Sequence, residues 1–504
     1  MDSEPATGCS SRGGGDQLWA RLSAVAPGAA HGILRARRGC ARQTRGVSVT
    51  TPAGEGPSDT RRLLVITYDF GPDGPVGGLR WAGITKYLAR LGWDVCVLTA
   101  APPFGGAAAI GVQVERCARL WTVGDGYRLV RRLIFGESLG LSRSISHGGP
   151  PGGRPRDLLR QLRNEVATFL SLPDESHGWM LRAALHARSV IRRFQPRVVV
   201  SSGPPHSAHL VAAMATIRSP AAWLIDLRDP WAGPLPKVWQ SHRRLGTRVF
   251  RAIAPRLERL AFGVADGVIA NTPQLAEVLA AKYPNVPVVC VPNGVDPDGV
   301  PPPARHRYPG LSIAYTGRLY AGRDLGPVMR ALGIFFQHHP EAARAGSKLR
   351  IAGDADSRHA QVFNDAVAVA GVEQYVEVLG LLSRADALDV VSRSRLAVVL
   401  AQDQELQIPA KLYESVAMGV PTLVVAPAGS AAAVEGTRLG AVVRDSGDVE
   451  GIACVLERLW QDGSPERSSC PVPITYDAIA LLVDQVLGMS LPPASARQGV
   501  LAGL

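Results

Sequence analysis

Two short stretches carry side chains whose types and spacing could do chemistry. In "AYTGRLYAGRDLGPVMRAL" (314–332), Arg318 and Arg323 fall between an apolar strand-like run and the next helical one. Gly317 and the glycines near it let a bulky anion approach the backbone. Two guanidiniums beside the positive end of a helix suit a diphosphate, since each gives forked hydrogen bonds to its oxygens. The same spacing also fits two solvated surface arginines. In "LQIPAKLYESVAMGVP" (406–421), the early proline and late glycine predict a helix over about Pro409–Met418. Lys411 and Glu414, three apart, then share a face. A carboxylate there can accept both hydroxyls of a ribose while the ammonium faces phosphate. An exposed ion pair worth about 0.2–0.5 kcal/mol fits the spacing equally well.

Such groups need a scaffold that brings loops together. "LLVITY" (63–68) is apolar without alternation, as expected of a strand buried on both faces. The glycine-rich "DFGPDGPVGG" follows, then the helical "LRWAGITKYLARLG" and the strand-like "DVCVLTA" (94–100). Strand, glycine loop, helix and strand make a βαβ unit, the building block of a parallel doubly wound sheet. "RVVVSSG" (197–203), "AAWLIDLRD" (221–229), "DGVIANT" (266–272) and "PVVCVPNGVD" (287–296) continue it. After a Pro-rich join at 296–310 the rhythm restarts with "LSIAYTGRL", "KLRIAGD", "YVEVLGLL", "LAVVLAQ", "TLVVAPAG" and "LGAVVRD".

The expected fold class is therefore α/β, two Rossmann-like doubly wound domains facing a cleft. A basic leader (1–59) precedes a first domain at 60–298, with an arginine-rich insertion at about 101–190. A second domain follows at 299–474. A helix at 475–491 could pack on either domain, and 492–504 form a tail. Ligands of such sheets bind beyond the carboxyl ends of the strands. The loops after each run, including 69–80, 226–233, 316–323, 380–384 and 402–411, are the places to look.

Composition narrows the function. The chain has 504 residues and a formal charge of +12, from scattered arginines more than from blocks. That favours anionic ligands or an anionic membrane surface over a nucleic-acid arm. No apolar run approaches the roughly 18 residues of a membrane span, which points to a cytoplasmic protein that at most lies on the membrane. Seven cysteines without C-x-x-C spacing read as buried free thiols in a reducing compartment, and no zinc site is expected.

Taken in order, "LLVITYDFGPDGPVGG", "VVVSSGPPHSAHL", "LIDLRDPW", "VIANTPQ", "VPNGVD", "YTGRLYAGRDL", "LRIAGD", "IPAKLYESVAMGVPTLV" and "GAVVRDSGDVE" resemble the GT-B glycosyltransferases, specifically the large retaining family four. The resemblance runs over about residues 62–490. It implies a nucleotide-sugar donor, a glycan or lipid-linked acceptor, and no metal or other cofactor. It places Arg318 and Arg323 on the donor diphosphate, Glu414 on the donor ribose, and Gly317, Lys411, Leu412, Gly77 and Gly78 in the donor site. His206, His209, Arg228 and Asp229 become acceptor-side candidates. A bracing role for Arg228 with Asp229, and helix capping by the histidines, fit equally. Asp296 reads as structural. The implied reaction keeps the anomeric configuration, with the two arginines and Lys411 stabilising charge on the leaving phosphate. Many relatives carry a second glutamate eight positions before Glu414, where this chain has Leu406, with Glu405 and Gln407 beside it.

The arginine-rich insertion suits either docking on anionic lipid or a solvated cover for the sheet. Two rival classes remain at this level. A dinucleotide enzyme is disfavoured because no G-x-G-x-x-G follows the first strand. An epimerase would need clustered acids and bases, and a non-catalytic nucleotide-sugar-binding protein would not need the full Arg318, Arg323 and Glu414 set.

Overall fold

The computed structural model describes residues 61–71, 76–100, 110–135, 172–174, 176–232, 245–302, 304–320, 322–355, 357–462 and 473–488. The expected leader, most of the arginine-rich insertion and the tail lie outside these residues. The apolar runs form two parallel sheets. The first holds β1 (Arg62–Thr67), β2 (Asp94–Ala100), β3 (Val112–Cys117), β4 (Val198–Gly203), β5 (Ala222–Leu227), β6 (Gly267–Ala270) and β7 (Val288–Cys290), in the order β3-β2-β1-β4-β5-β6-β7. The second holds β8 (Ser312–Thr316), β9 (Lys348–Ala352), β10 (Val376–Gly380), β11 (Leu396–Leu400), β12 (Thr422–Val425) and β13 (Val442–Arg444), in the order β10-β9-β8-β11-β12-β13. In each sheet the order reverses between the first strand and the fourth, which opens a crevice at the strands' carboxyl ends.

Both faces of the first sheet are covered, which is why its strands lack alternation. Leu64 and Ile66 point into one core with Trp179 and Trp223, and Leu63 and Val65 into the opposite core with Trp81 and Ile84. β3 is the strand the sequence patterning misses. It lies on the sheet edge, and "VQVERC" is half-exposed and polar along its middle. Among the described residues the thiols depart from expectation at two positions, Cys290 being only partly buried. Cys96 and Cys117 are buried, but Cys454 is exposed, since its helix turns Ala453 and Val455 inward instead.

Helix α1 (Val76–Arg90) begins earlier than the pattern implies and absorbs Gly77 and Gly78 into its first turn. Close approach explains both glycines. A Cβ on Gly78 would lie 2.9 Å from the backbone nitrogen of Phe70, and one on Gly77 would lie 2.8 Å from an Arg228 nitrogen. In chain order α2 (Val123–Phe135), α3 (His177–Phe194), α4 (Ser207–Thr216), α5 (Leu245–Val264) and α6 (Pro273–Lys282) follow in the first half. The second half has α7 (Gly326–His338), α8 (Pro340–Arg344), α9 (Ser357–Ala370), α10 (Arg384–Ser392), α11 (Ala410–Ala417), α12 (Ala431–Arg438) and α13 (Val449–Gln461).

The final helix, α14 (Tyr476–Gly488), packs on α1 of the first sheet. Gly83 leaves room for the Tyr476 ring, and Trp93 Nε1 donates to Asp484 at 2.7 Å. The outgoing and returning chains lie side by side, joined by Val295 N to Ile474 O and Tyr476 N to Val295 O. Lys86 and Tyr87 of α1 hold the Asp296 carboxylate at 3.0 Å, a structural task for that residue. No helix among the described residues is long and apolar enough to cross a membrane.

Beneath this crossing sits a buried ion pair. Asp226, at the carboxyl end of β5, accepts from Arg80 Nε (3.2 Å), Trp81 Nε1 (2.8 Å) and Ser202 Oγ (2.7 Å). Arg80 also donates to the carbonyls of Val291 and Pro292 and to the Asn293 side chain. Removing one member leaves the other charged and unpaired in a dry core. Asp226→Ala is expected to lower stability of the first domain by about 3–5 kcal/mol in urea unfolding. A loss within experimental error would show that the pair is not what holds the crossing.

Candidate active site

The carboxyl ends of the two sheets face each other across a cleft of about 1420 Å³. Its floor on the second-domain side is basic. β8 ends at Thr316, and Gly317 follows at φ +139, a conformation that favours glycine. A Cβ there would also displace the Lys411 ammonium from its present position. Gly353, at φ +159, abuts the Gly317 carbonyl and brings the loops after β8 and β9 together.

Lys411 stands in the first turn of α11, whose cap residue Pro409 supplies no side-chain bond to the helix start. Ile408, Pro409 and Ala410 line the cleft there, so this helix start borders the ligand space. Burial chiefly, and then the nearby Arg323, push the Lys411 pKa down to about 8, with Glu414 opposing. A buried lysine beside an arginine, both lining the cleft, suits an anionic ligand. Arg323 lies with its guanidinium 4.9 Å from the centre of the Tyr320 ring, and its Nε is buried with no partner. Arg318 stands further out, half-exposed, 3.6 Å from Asp354.

Glu414 lies one turn along α11 from Lys411 and also lines the cleft. Its carboxylate accepts from Arg384 Nη2 at 2.7 Å. Arg384 is the first residue of α10, after β10, so Glu414 is held by a third element of the second domain. Leu412 does not belong to the site. It is fully buried beside Tyr413 and Val424, because a helix that turns 411 and 414 to the cleft turns 412 and 413 to the core.

On the first-domain side Gly77, Arg228 and Asp229 line the cleft. Gly78 does not; its missing Cβ serves the contact with Phe70. Arg228 donates to the carbonyls of Gly203 and Pro204, which fixes it against the end of β4. Burial raises the Asp229 pKa, opposed by Arg228, by a hydrogen bond with Gln407 and by Arg323. Burial also raises that of Asp69, and Arg228 again opposes.

His206 and His209 turn away from the cleft. His209 is fully buried, its Nδ1 2.9 Å from Ser201 Oγ, and burial pushes its pKa to about 3. His206 stacks on Trp231 with ring centres 5.0 Å apart, and burial lowers its pKa well below the ordinary value. Though it stands at the start of α4, its side chain makes no capping bond. Both histidines are held neutral behind Pro204 and Pro205, which face the cleft in their place. Among the described residues no three His, Cys, Asp or Glu side chains converge as a metal site would require.

Comparison with known families agrees with this geometry. The model described as Glycosyltransferase Family 4 matches residues 144–298, and that described as Glycosyl transferases group 1 matches residues 312–462. The two matches divide at the Pro-rich join. The chain is a GT-B glycosyltransferase of the family-four type.

Solved structures share its two-domain fold at low identity. Sucrose-phosphate synthase from Thermosynechococcus elongatus is 14% identical with a TM-score of 0.55, over 88% of this chain and 100% of the other. An alpha,alpha-trehalose-phosphate synthase (UDP-forming) from Burkholderia vietnamiensis is 13% identical with a TM-score of 0.53, over 88% and 99%. A trehalose-6-phosphate structure from E. coli, described as bound with UDP-2-fluoro glucose, is 14% identical with a TM-score of 0.51, over 88% and 98%. No curated protein sequence matches the chain.

Within this glycosyltransferase, Arg318, Arg323, Gly317, Lys411 and Glu414 come together from separated loops, with Gly77, Arg228 and Asp229 opposite. Arg384 escaped sequence reasoning, although its loop was singled out. Nothing in "GLLSRADAL" says that an arginine at a helix start reaches a glutamate on another helix. Glu405 is exposed and does not line the cleft, so it does not stand in for the glutamate absent at 406.

A lysine with a pKa of about 8 carries its charge below that pH and loses it above. Affinity for UDP or GDP is therefore expected to fall as pH rises from about 7 to about 9.5, read by calorimetry. Lys411→Gln should bind more weakly at the lower pH and lose this limb. An unchanged profile in the variant would remove Lys411 from the diphosphate contact.

Proposed function

We propose that the protein transfers a sugar from a nucleotide-sugar donor to a hydroxyl of a glycan or lipid-linked acceptor, with retention of anomeric configuration, in cell-surface polysaccharide or glycoconjugate synthesis. One observation carries the donor assignment. Arg323 and Lys411 converge beside the open backbone of Gly317, with the Glu414 carboxylate one helical turn away. A cation pair followed by a carboxylate at that spacing matches a diphosphate joined to a ribose.

In the reaction the bond from the anomeric carbon to the diphosphate oxygen breaks. Arg323 and Lys411, with Arg318 at the rim, take up the charge that develops on the leaving oxygen. The acceptor oxygen bonds to the same face of the sugar, and its proton passes to the departing phosphate. No separate protein base is required, which accords with two neutral histidines turned from the cleft. The reading includes no metal and no cofactor beyond the donor itself.

The net positive charge suits an acceptor presented at an anionic membrane surface on its cytoplasmic side. The arginine-rich insertion that first suggested this lies mostly outside the described residues.

A thermal-shift screen of nucleotide sugars tests the donor reading. At least one donor should stabilise the wild type, and stabilisation by none would refute it. With that donor, Arg323→Ala should lower kcat/KM by about 10²–10³-fold. Glu414→Ala should raise the donor KM by about tenfold or more with a smaller effect on kcat. Retention is read from the anomeric proton coupling of the product, and an inverted product would overturn that part.

A further inference from the structure

We propose that Asn271, Asp229 and Gln407 form the subsite that holds the hydroxyls of the transferred sugar, with the two domains each supplying part of it. This rests on the donor-site reading above.

Asn271 is the first residue after β6, is 4% exposed, and lines the cleft. Its Oδ1 is buried without a hydrogen-bond partner. Buried side-chain oxygens are nearly always paired, and an orphan on a ligand cleft calls for a donor from the ligand. A sugar hydroxyl is such a donor.

The neighbouring residue explains how the second domain reaches this point. Thr272 caps α6 by accepting from Leu275 N, and its Oγ1 donates to the Leu406 carbonyl at 2.8 Å. The Leu406 side chain packs on the first-domain core. With 406 pinned beside 272, Gln407 lines the cleft, as does Asp229 from the first domain. Asp229 and Asn271 follow adjacent strands, since β5 and β6 pair with Leu227 opposite Ala270.

Carboxylate, amide and orphan carbonyl oxygen together offer acceptors and donors to a ring that carries both at each hydroxyl. The position favours the donor sugar over the acceptor. Arg323 acts electrostatically on both Asp229 and Lys411, so the cluster adjoins the diphosphate floor. Arg228 is the other charged group acting on Asp229.

The test compares binding of UDP with UDP-glucose, and of GDP with GDP-mannose, by calorimetry. In the wild type one nucleotide sugar should bind more tightly than its nucleoside diphosphate. Asn271→Ala and Gln407→Ala should each remove about tenfold of that difference while nucleoside diphosphate affinity stays within about twofold. With that donor, kcat/KM should fall and the acceptor KM should hold. Gln407 is partly exposed, so its variant reads the subsite even where a change at Asn271 disturbs folding, which thermal unfolding monitors. Equal weakening of diphosphate and sugar nucleotide in both variants would make the cluster merely structural. A rise in acceptor KM alone would make it an acceptor contact, and unaltered donor binding would empty it of any role. A wild type that binds neither diphosphate would bring down the donor reading itself, and this subsite with it.

Discussion

The carboxylate of Asp226 is the point from which the rest of the molecule is positioned. It is fully buried and meets an arginine and an indole from α1 and a hydroxyl from β4. Its arginine partner extends to the three residues at which the chain leaves the first domain. One ion pair therefore ties the first helix, the central strands and the interdomain crossing. A buried charge pair is costly to dehydrate, and apolar residues could fill its space at similar stability. What apolar residues could not supply is direction. Six hydrogen bonds around Arg80 and Asp226 define where the crossing lies relative to the sheet, and hence which strand ends face each other across the cleft.

The cleft depends on close backbone approach as much as on charge. Gly77 lies against Arg228, Gly78 against the loop after β1, Gly317 against Lys411, and Gly353 against Gly317. The Gly78 and Gly353 contacts are backbone against backbone, at distances that a Cβ would prevent, and a Cβ at Gly77 or Gly317 would displace the charged side-chain end beside it. Lys411 lays its ammonium over Gly317, where a Cβ would displace it. Burial lowers the lysine's pKa to about 8, and an entering anion would favour its charged form.

The doubly wound sheets were legible because buried parallel strands are written as unbroken apolar runs, and "LLVITY" and "LAVVLAQ" could hardly be anything else. The edge strand β3 was not, because half its side chains meet solvent and its composition resembles a loop. Among site residues, those on one local segment were readable. Lys411 and Glu414 follow from helical spacing, and Arg318 and Arg323 from their loop. Residues that depend on tertiary placement were misjudged. His206 and His209 looked polar and near a strand end, yet Trp231 and the two prolines enclose them. The resemblance places Leu412 in the donor site, though its helical angle turns its side chain into the core. Arg384 reaches Glu414 across elements far apart in the chain, and no spacing rule extends that far.

Leu406 shows how a departure from the resemblance becomes a structural asset. A glutamate there could face the cleft, whereas a leucine gains more by leaving water, and it does so against the first-domain core. Thr272 then takes hold of its carbonyl, and the segment leading into α11 is fastened to the first domain. The cleft loses an acid on one side. In exchange, the next residue, Gln407, is set against Asp229 from the opposite sheet. Ionic recognition from a single domain is thus replaced by amide and carboxylate recognition shared between two, and a ligand that bonds to both must bridge them. A ligand held by Asn271 or Asp229 on one side and by Gln407 on the other would therefore tie the two domains together, as the Thr272–Leu406 hydrogen bond already does.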